Sequence, residues 1–120
     1  MHTATRAYAS VAKETASPRE LEATLLLKAA AKLQAVHDAW EDRRGLDEAL
    51  LYNRRLWVVF IDSVLQNDHP LPAPVRQNLA NLGIFVMTET FSLMTSPQPG
   101  HLRALININR ELATGLQGRG

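Results

Sequence analysis

The sequence predicts an all-α protein, an antiparallel bundle of four main helices plus a short N-terminal helix. Four segments repeat apolar residues every three or four positions, which is the spacing of one helix face. No segment alternates apolar and polar residues for long enough to predict a sheet. Prolines and glycines fall mostly between the periodic segments, where they end helices. All 120 residues are expected to form one domain, with frayed tails at about residues 1–5 and 117–120.

The first main helix is marked by a complete start signal. Residues 4–15 before it have helical spacing but little apolar bulk, and we expect the short N-terminal helix there, with a loosely held arm as the alternative. Ser17 is the expected N-cap, Pro18 suits the first helical position, and Glu20 completes a capping box. The helix should run to about Asp42. Its expected core face consists of Leu21, Leu25, Ala29, Leu33, Val36 and Trp40.

The second main helix is expected to begin near Leu46 and to end before the turn at residues 67–70. Its apolar face includes one amide, that of Asn53, and otherwise consists of Leu50, Trp57, Phe60 or Ile61, and Val64. Residues 56–61 are apolar nearly all round the helix. They could serve the bundle core, a groove for a partner or a dimer interface, so the oligomeric state stays open.

The last two helices are separated by the proline-rich break at residues 96–100. Pro72 or Pro74 opens the third helix, whose expected face is Val75, Leu79, Leu82, Val86 and Leu93. Gly83 lies in mid-helix, where it costs up to about 1 kcal/mol relative to alanine. It either allows a neighbouring helix to approach closely or is simply tolerated. The fourth helix is expected to face the core with Leu102, Leu105, Asn109, Leu112 and Leu116.

Composition argues against several classes of function. The net charge is +1 and the cations are interleaved with acids, whereas nucleic-acid surfaces need clustered cations. There is no cysteine, so disulfides and thiolate chemistry are excluded. The longest apolar run, residues 56–61, is too short to span a membrane, and no signal peptide is recognisable. We therefore expect a cytoplasmic protein without membrane insertion.

Catalytic and metal-binding patterns are also missing from the sequence. The four histidines have no ligand spacing, and the carboxylates in the helices are expected to be exposed. Glu89 comes nearest to an apolar face, but solvation is the favoured interpretation there. There is no phosphate-binding loop and no nucleophile elbow. We therefore expect no enzyme activity, no catalytic residue, no metal and no cofactor.

The candidate binding residues are amides, arginines and aromatics, some beside the most apolar part of the second helix and some on the third helix. We predict a groove between the second and third main helices, because aromatics and arginines are enriched in binding hot spots. The amides, and with them Asn107 and Asn109 of the fourth helix, have an alternative role, bonding to one another or to the backbone and fixing helix register. The arginines also have an alternative role, as part of a solvated helix face. The candidates are Tyr52, Asn53, Arg54, Arg55, Trp57, Asn78, Asn81 and Phe85.

Four blocks of the sequence resemble the FlaF family, the flagellar biosynthesis regulatory proteins of alphaproteobacteria. They are residues 17–23 (SPRELEA), 49–57 (ALLYNRRLW), 78–86 (NLANLGIFV) and 108–113 (INRELA). The run from Tyr52 to Trp57 is an uncommon string, which makes the resemblance specific. Together the blocks extend over nearly the whole chain.

The resemblance implies a function that residue spacing does not reveal. It implies a flagellar regulator that binds the terminal helices of flagellin as a secretion chaperone and promotes flagellin synthesis and export. It also implies cooperation with the FlbT regulator. The alternative is a post-transcriptional regulator or adaptor that acts on flagellin mRNA together with FlbT. The near-neutral charge disfavours direct contact with nucleic acid.

Overall fold

The computed structural model describes residues 18–119, and these residues form helices without any strand. The helices are α1 (Pro18–Asp38), α2 (Leu46–Val64), α3 (Ala73–Thr95) and α4 (Pro99–Thr114), followed by a short π-helical segment (Gly115–Arg119). The all-α fold class is therefore confirmed. The expected N-terminal helix and the cap at Ser17 lie outside the described residues.

The four helices form a ring in which each packs against its neighbours. Helices consecutive in sequence are in contact, and α1 closes the ring by packing most extensively against α4. Short loops join the consecutive helices, which therefore run antiparallel. The diagonal pairs, α1 with α3 and α2 with α4, make no close backbone contact within the described chain. Side chains fill the centre instead.

The first helix ends earlier than predicted, at Asp38 rather than near Asp42. Trp40 lies in the following turn, where the guanidinium of Arg43 stacks over its ring at 4.8 Å. Arg43 also donates a hydrogen bond to the backbone oxygen of Trp40 at 3.3 Å. These contacts stabilise a turn in place of one more helical turn. The predicted start of α2 at Leu46 is confirmed.

The buried face of α1 is rotated from the predicted face. Leu21, Leu25 and Trp40 are only half-buried. The physical reason is that α1 packs against α2 and α4 together, so its buried face centres between these two neighbours. Alanines on this face let α4 approach closely. The buried residues of α1 are Ala23, Leu26, Ala29, Ala30, Leu33 and Val36.

The centre of the bundle is built around Trp57, which is fully buried and meets Phe60 edge to face at 5.6 Å. The predicted face of α2 is confirmed, including buried Asn53. For α3 the prediction is corrected, because Val75 is exposed and the buried residues begin only at Gly83. None of the helices described is long and apolar enough to cross a membrane.

Candidate functional site

Three buried polar side chains meet at the centre of the bundle. The amide nitrogen of Asn109 donates a hydrogen bond to Oδ1 of Asn53 at 2.7 Å. Nε1 of Trp57 donates to Oδ1 of Asn109 at 2.9 Å. The same Asn109 nitrogen lies 3.4 Å from the backbone oxygen of Leu26. This network joins α1, α2 and α4, and Nδ2 of Asn53 is left without a partner among the described residues.

The network corrects part of the predicted binding site. Asn53 and Trp57 have no exposed surface, so neither side chain contacts a partner directly in this conformation. For Asn53 and Asn109 the alternative interpretation holds, since these amides bond to each other. Burying an unpaired amide costs free energy, which explains why these polar groups converge.

A large apolar groove lies between α2 and α3, and we call it the α2–α3 groove. Its volume is about 730 Å³. Its apolar walls include Ile84 and Phe91, each 67% exposed, and Val58 and Leu65, each 54% exposed. Large apolar side chains that stay exposed along one groove make it a candidate binding surface.

The floor of the α2–α3 groove depends on Gly83. A Cβ atom at this position would lie 2.8 Å from Cγ1 of Ile61, closer than real Cβ atoms approach a neighbour. Of the two interpretations of Gly83, close approach of a neighbouring helix is therefore confirmed. The ring of Trp57 lies beneath the same point, with its Cε3 atom at 3.8 Å. Trp57 thus supports the groove from below without being exposed in it.

The remaining predicted site residues are divided among several surfaces. Arg54 lines the α2–α3 groove, opposite in charge to Asp62. Asn78, Asn81 and Phe85 are exposed on α3 but do not line this groove. Their contact with a partner stays a prediction.

Tyr52 and Arg55 lie on the opposite flank of α2, in a second groove that we call the α1–α2 groove. Its volume is about 500 Å³. The Nζ atoms of Lys28 and Lys32 stand 5.8 and 5.1 Å from the centroid of the Tyr52 ring. The groove is lined by Leu25, Glu48, Leu51, Tyr52, Arg55, Leu56 and Val59.

The contact between α3 and α4 contains a polar pair that the sequence interpretation missed. Nδ1 of His101 lies 2.5 Å from a carboxylate oxygen of Glu89, whose side chain is only 14% exposed. The expectation that Glu89 is solvated is therefore wrong. A signal was present, because Glu89 is three residues after Val86 and four before Leu93, within the buried face of α3.

The apolar walls of the α2–α3 groove were also not predicted as site residues. The available signal was a set of large apolar residues off the predicted core face of α3, such as Ile84 and Phe91. In residues 18–119, no three His, Cys, Asp or Glu side chains come together to hold a metal ion. For the whole chain, the absence of a metal and of a cofactor stays a prediction.

Comparison with known proteins places this chain in a family. Searches of curated proteins and of solved structures each give no match. The family described as flagellar protein FlaF matches residues 4–116, a range that includes all four helices. This match agrees with the resemblance of the four sequence blocks, three of which lie wholly within the described helices. The chain therefore belongs to the FlaF family of flagellar proteins.

Proposed function

We propose that this protein binds the terminal helices of flagellin in its α2–α3 groove and acts in the cytoplasm as an export chaperone. By holding flagellin before export it would promote flagellin synthesis and export. Membership of a flagellar family supports the choice of client. The observation that carries the proposal is the exposed apolar lining of the α2–α3 groove.

The groove has the properties that helix binding needs. An amphipathic helix docks by placing residues at i, i+3 or i+4, and i+7 into an apolar groove between two helices. Val58 of α2 and Leu65, the C-cap of α2, offer such contacts at one edge, and Ile84 and Phe91 offer them from α3. In each pair the residues are seven positions apart, so they lie on one face of their helix. A partner helix would cover both rows and remove them from water.

The charges at the rim support a protein client over RNA. One cation, Arg54, and one carboxylate, Asp62, line the α2–α3 groove. RNA binding needs an excess of cations along the backbone path, together with exposed bases to stack or bond. The α2–α3 groove instead offers mainly apolar side chains and, among the described residues that line it, no excess of cations. In this proposal the protein is a binding module and no residue has a catalytic role.

The test compares two equally exposed apolar residues that line the grooves on opposite sides of α2. Ile84 lines the α2–α3 groove and Val59 lines the α1–α2 groove, and each is 67% exposed. Ile84→Asp should weaken binding of a flagellin terminal-helix peptide about tenfold or more, about 1.4 kcal/mol, because a carboxylate must then be desolvated. Val59→Asp should leave this affinity unchanged. Calorimetric titration measures both.

Two further measurements make the result decisive. Melting curves should be nearly unchanged for both variants, because exposed substitutions rarely alter stability by more than about 0.5 kcal/mol. Light scattering gives the oligomeric state. Equal peptide affinity in the parent and the Ile84→Asp variant would contradict the proposal. If Ile84→Asp instead converts a dimer to a monomer, the groove is a self-association surface.

A further inference from the structure

We infer that the α1–α2 groove is a second docking surface, and that its occupant is an acidic amphipathic helix of a partner protein. This surface lies on the other flank of α2 from the α2–α3 groove. The inference rests on its own contacts and charges, and it does not depend on the flagellin proposal.

The apolar part of the α1–α2 groove is suited to a helix. Leu25 and Leu56 are half-buried and form its floor. Leu51 and Val59 are 41% and 67% exposed and stand at its edge. Two helices with apolar residues left between them present a concave surface into which a third helix can insert its own apolar residues. A flat lipid surface is less well matched to this shape.

The charge around the α1–α2 groove selects the partner. Arg55 lines it, and Lys28 and Lys32 lie beside it, with their ammonium groups over the ring of Tyr52. Glu48 is the one carboxylate among the described residues that line it. In residues 18–119 none of these three cations forms an ion pair with a carboxylate. The excess of positive charge therefore favours a partner that carries carboxylates beside its apolar face.

Tyr52 fixes where these carboxylates would bind. Its ring holds the ammonium groups of Lys28 and Lys32 at the edge of the groove. At an exposed site such a contact is worth only about 0.5–1 kcal/mol, so both ammonium groups can turn toward a stronger partner. The two lysines are four residues apart on α1, one helical turn. A glutamate pair spaced four residues apart on the partner helix would match them.

The experiment uses a pair of designed peptides and the full chain. The acidic peptide has about 18 residues, long enough to form a helix, with leucines at i, i+4 and i+7 and glutamates four residues apart beside them. In the control peptide every glutamate is replaced by lysine. Fluorescence anisotropy should show binding of the acidic peptide at least about tenfold tighter than the control. Raising the salt to about 0.5 M should weaken it, because salt screens exposed charges.

Variants then locate the binding site. The double variant Lys28→Glu and Lys32→Glu, and separately Arg55→Glu, should each weaken acidic-peptide binding about tenfold or more. Arg110→Glu is the matched control, because Arg110 is exposed on α4 away from this groove. Val59→Asp should weaken binding and Ile84→Asp should not, the reverse of the pattern expected for flagellin. The two binding proposals, one for each groove, are thereby tested independently of each other.

Several outcomes would overturn the inference. One is equal affinity for the two peptides, and another is unchanged affinity in both the lysine double variant and Arg55→Glu. Binding to vesicles of phosphatidylcholine and phosphatidylglycerol tests whether the surface contacts lipid. If the parent binds these vesicles through Lys28 and Lys32 but binds neither peptide, the surface contacts lipid and the inference is wrong. Melting curves for each variant confirm that the fold is kept.

Discussion

The amide of Asn109 joins three helices through groups that are all buried. It bonds to the side chains of Asn53 and Trp57 on α2 and lies near the backbone of α1 at Leu26. Buried polar networks of this kind hold elements in one arrangement, because any other register leaves their groups unpaired. Asn109 is therefore a register-fixing residue of the core and not a contact for a partner.

Asn109→Ala should be strongly destabilising. The substitution removes the partner of Oδ1 of Asn53 and of Nε1 of Trp57, and each buried group left unpaired costs about 1–3 kcal/mol. We expect a loss of about 3 kcal/mol in the free energy of unfolding, measured by urea denaturation. Asn107→Ala is the matched control, because Asn107 is exposed on the same helix. Similar losses in both variants would show that the network does not contribute to stability.

Glu22 provides a test of burial through pH. Burial raises the pKa of its carboxyl group above the ordinary 4.5, and the positive charge of Arg19 only partly opposes this. Because the folded state binds the proton more tightly than the unfolded state, stability rises as pH falls through the folded pKa. At neutral pH the charged carboxylate of Glu22 therefore lowers the free energy of unfolding relative to an uncharged side chain.

Glu22→Gln should therefore melt at a higher temperature than the parent at neutral pH. The difference should shrink as pH falls through the raised pKa of Glu22 and should be gone below 4.5, where the parent is also uncharged in both states. Melting curves at several pH values measure it. A stabilisation that persists unchanged in acid would contradict burial as its cause.

At the scale of the helix, α3 is the least buried of the four, and at Gly83 it packs against α2 with no room for a Cβ atom. Its buried residues are only Gly83, Val86, Thr90 and Leu93. The half-buried pair of Glu89 and His101 adds a polar contact to α4. Because few buried side chains fix the position of α3, we expect the contact at Gly83 to set the distance between α3 and α2. That distance determines the width of the α2–α3 groove.

Gly83→Ala should test this spacing. Alanine favours the helix by up to about 1 kcal/mol over glycine, but its Cβ atom would overlap Ile61, and overpacking costs about 1–3 kcal/mol. We expect a net loss of stability in the parent background. With Ile61→Ala present, the overlap is removed and Gly83→Ala should become stabilising. Denaturation of the four proteins completes this double-mutant cycle. An equal effect of Gly83→Ala in both backgrounds would exclude the steric explanation.

Helix-level features were predictable to different degrees. The face of α2 followed from its spacing, including Asn53, because one side of this helix faces the centre. The face of α1 was displaced because α1 shares its surface between α2 and α4, and spacing alone does not reveal how many neighbours a helix has. The partner of Asn53 could not be predicted, since Asn109 is 56 residues away in sequence.

At the scale of the whole molecule, α2 separates two grooves of different character. The consecutive residues Val58 and Val59 line the α2–α3 groove and the α1–α2 groove respectively. Neighbours in a helix point about 100° apart, so a turn that is apolar nearly all round can serve both flanks and the core. The sequence indicated this turn but left its uses open. Only the packing of α1 and α3 on either side decides which residue enters which groove.

The closure of the ring by α1 and α4 has a consequence for how the protein is made. The hydrogen bond from Asn109 to the backbone of Leu26 spans 83 residues. At about 5–20 residues per second, ribosomes need roughly 4–17 seconds to cover this distance. During that time the apolar face of α1 has been made and α4, its most extensive partner, has not. A chain that stops before α4 never completes the core, so premature termination products should be removed by proteases that recognise unfolded chains.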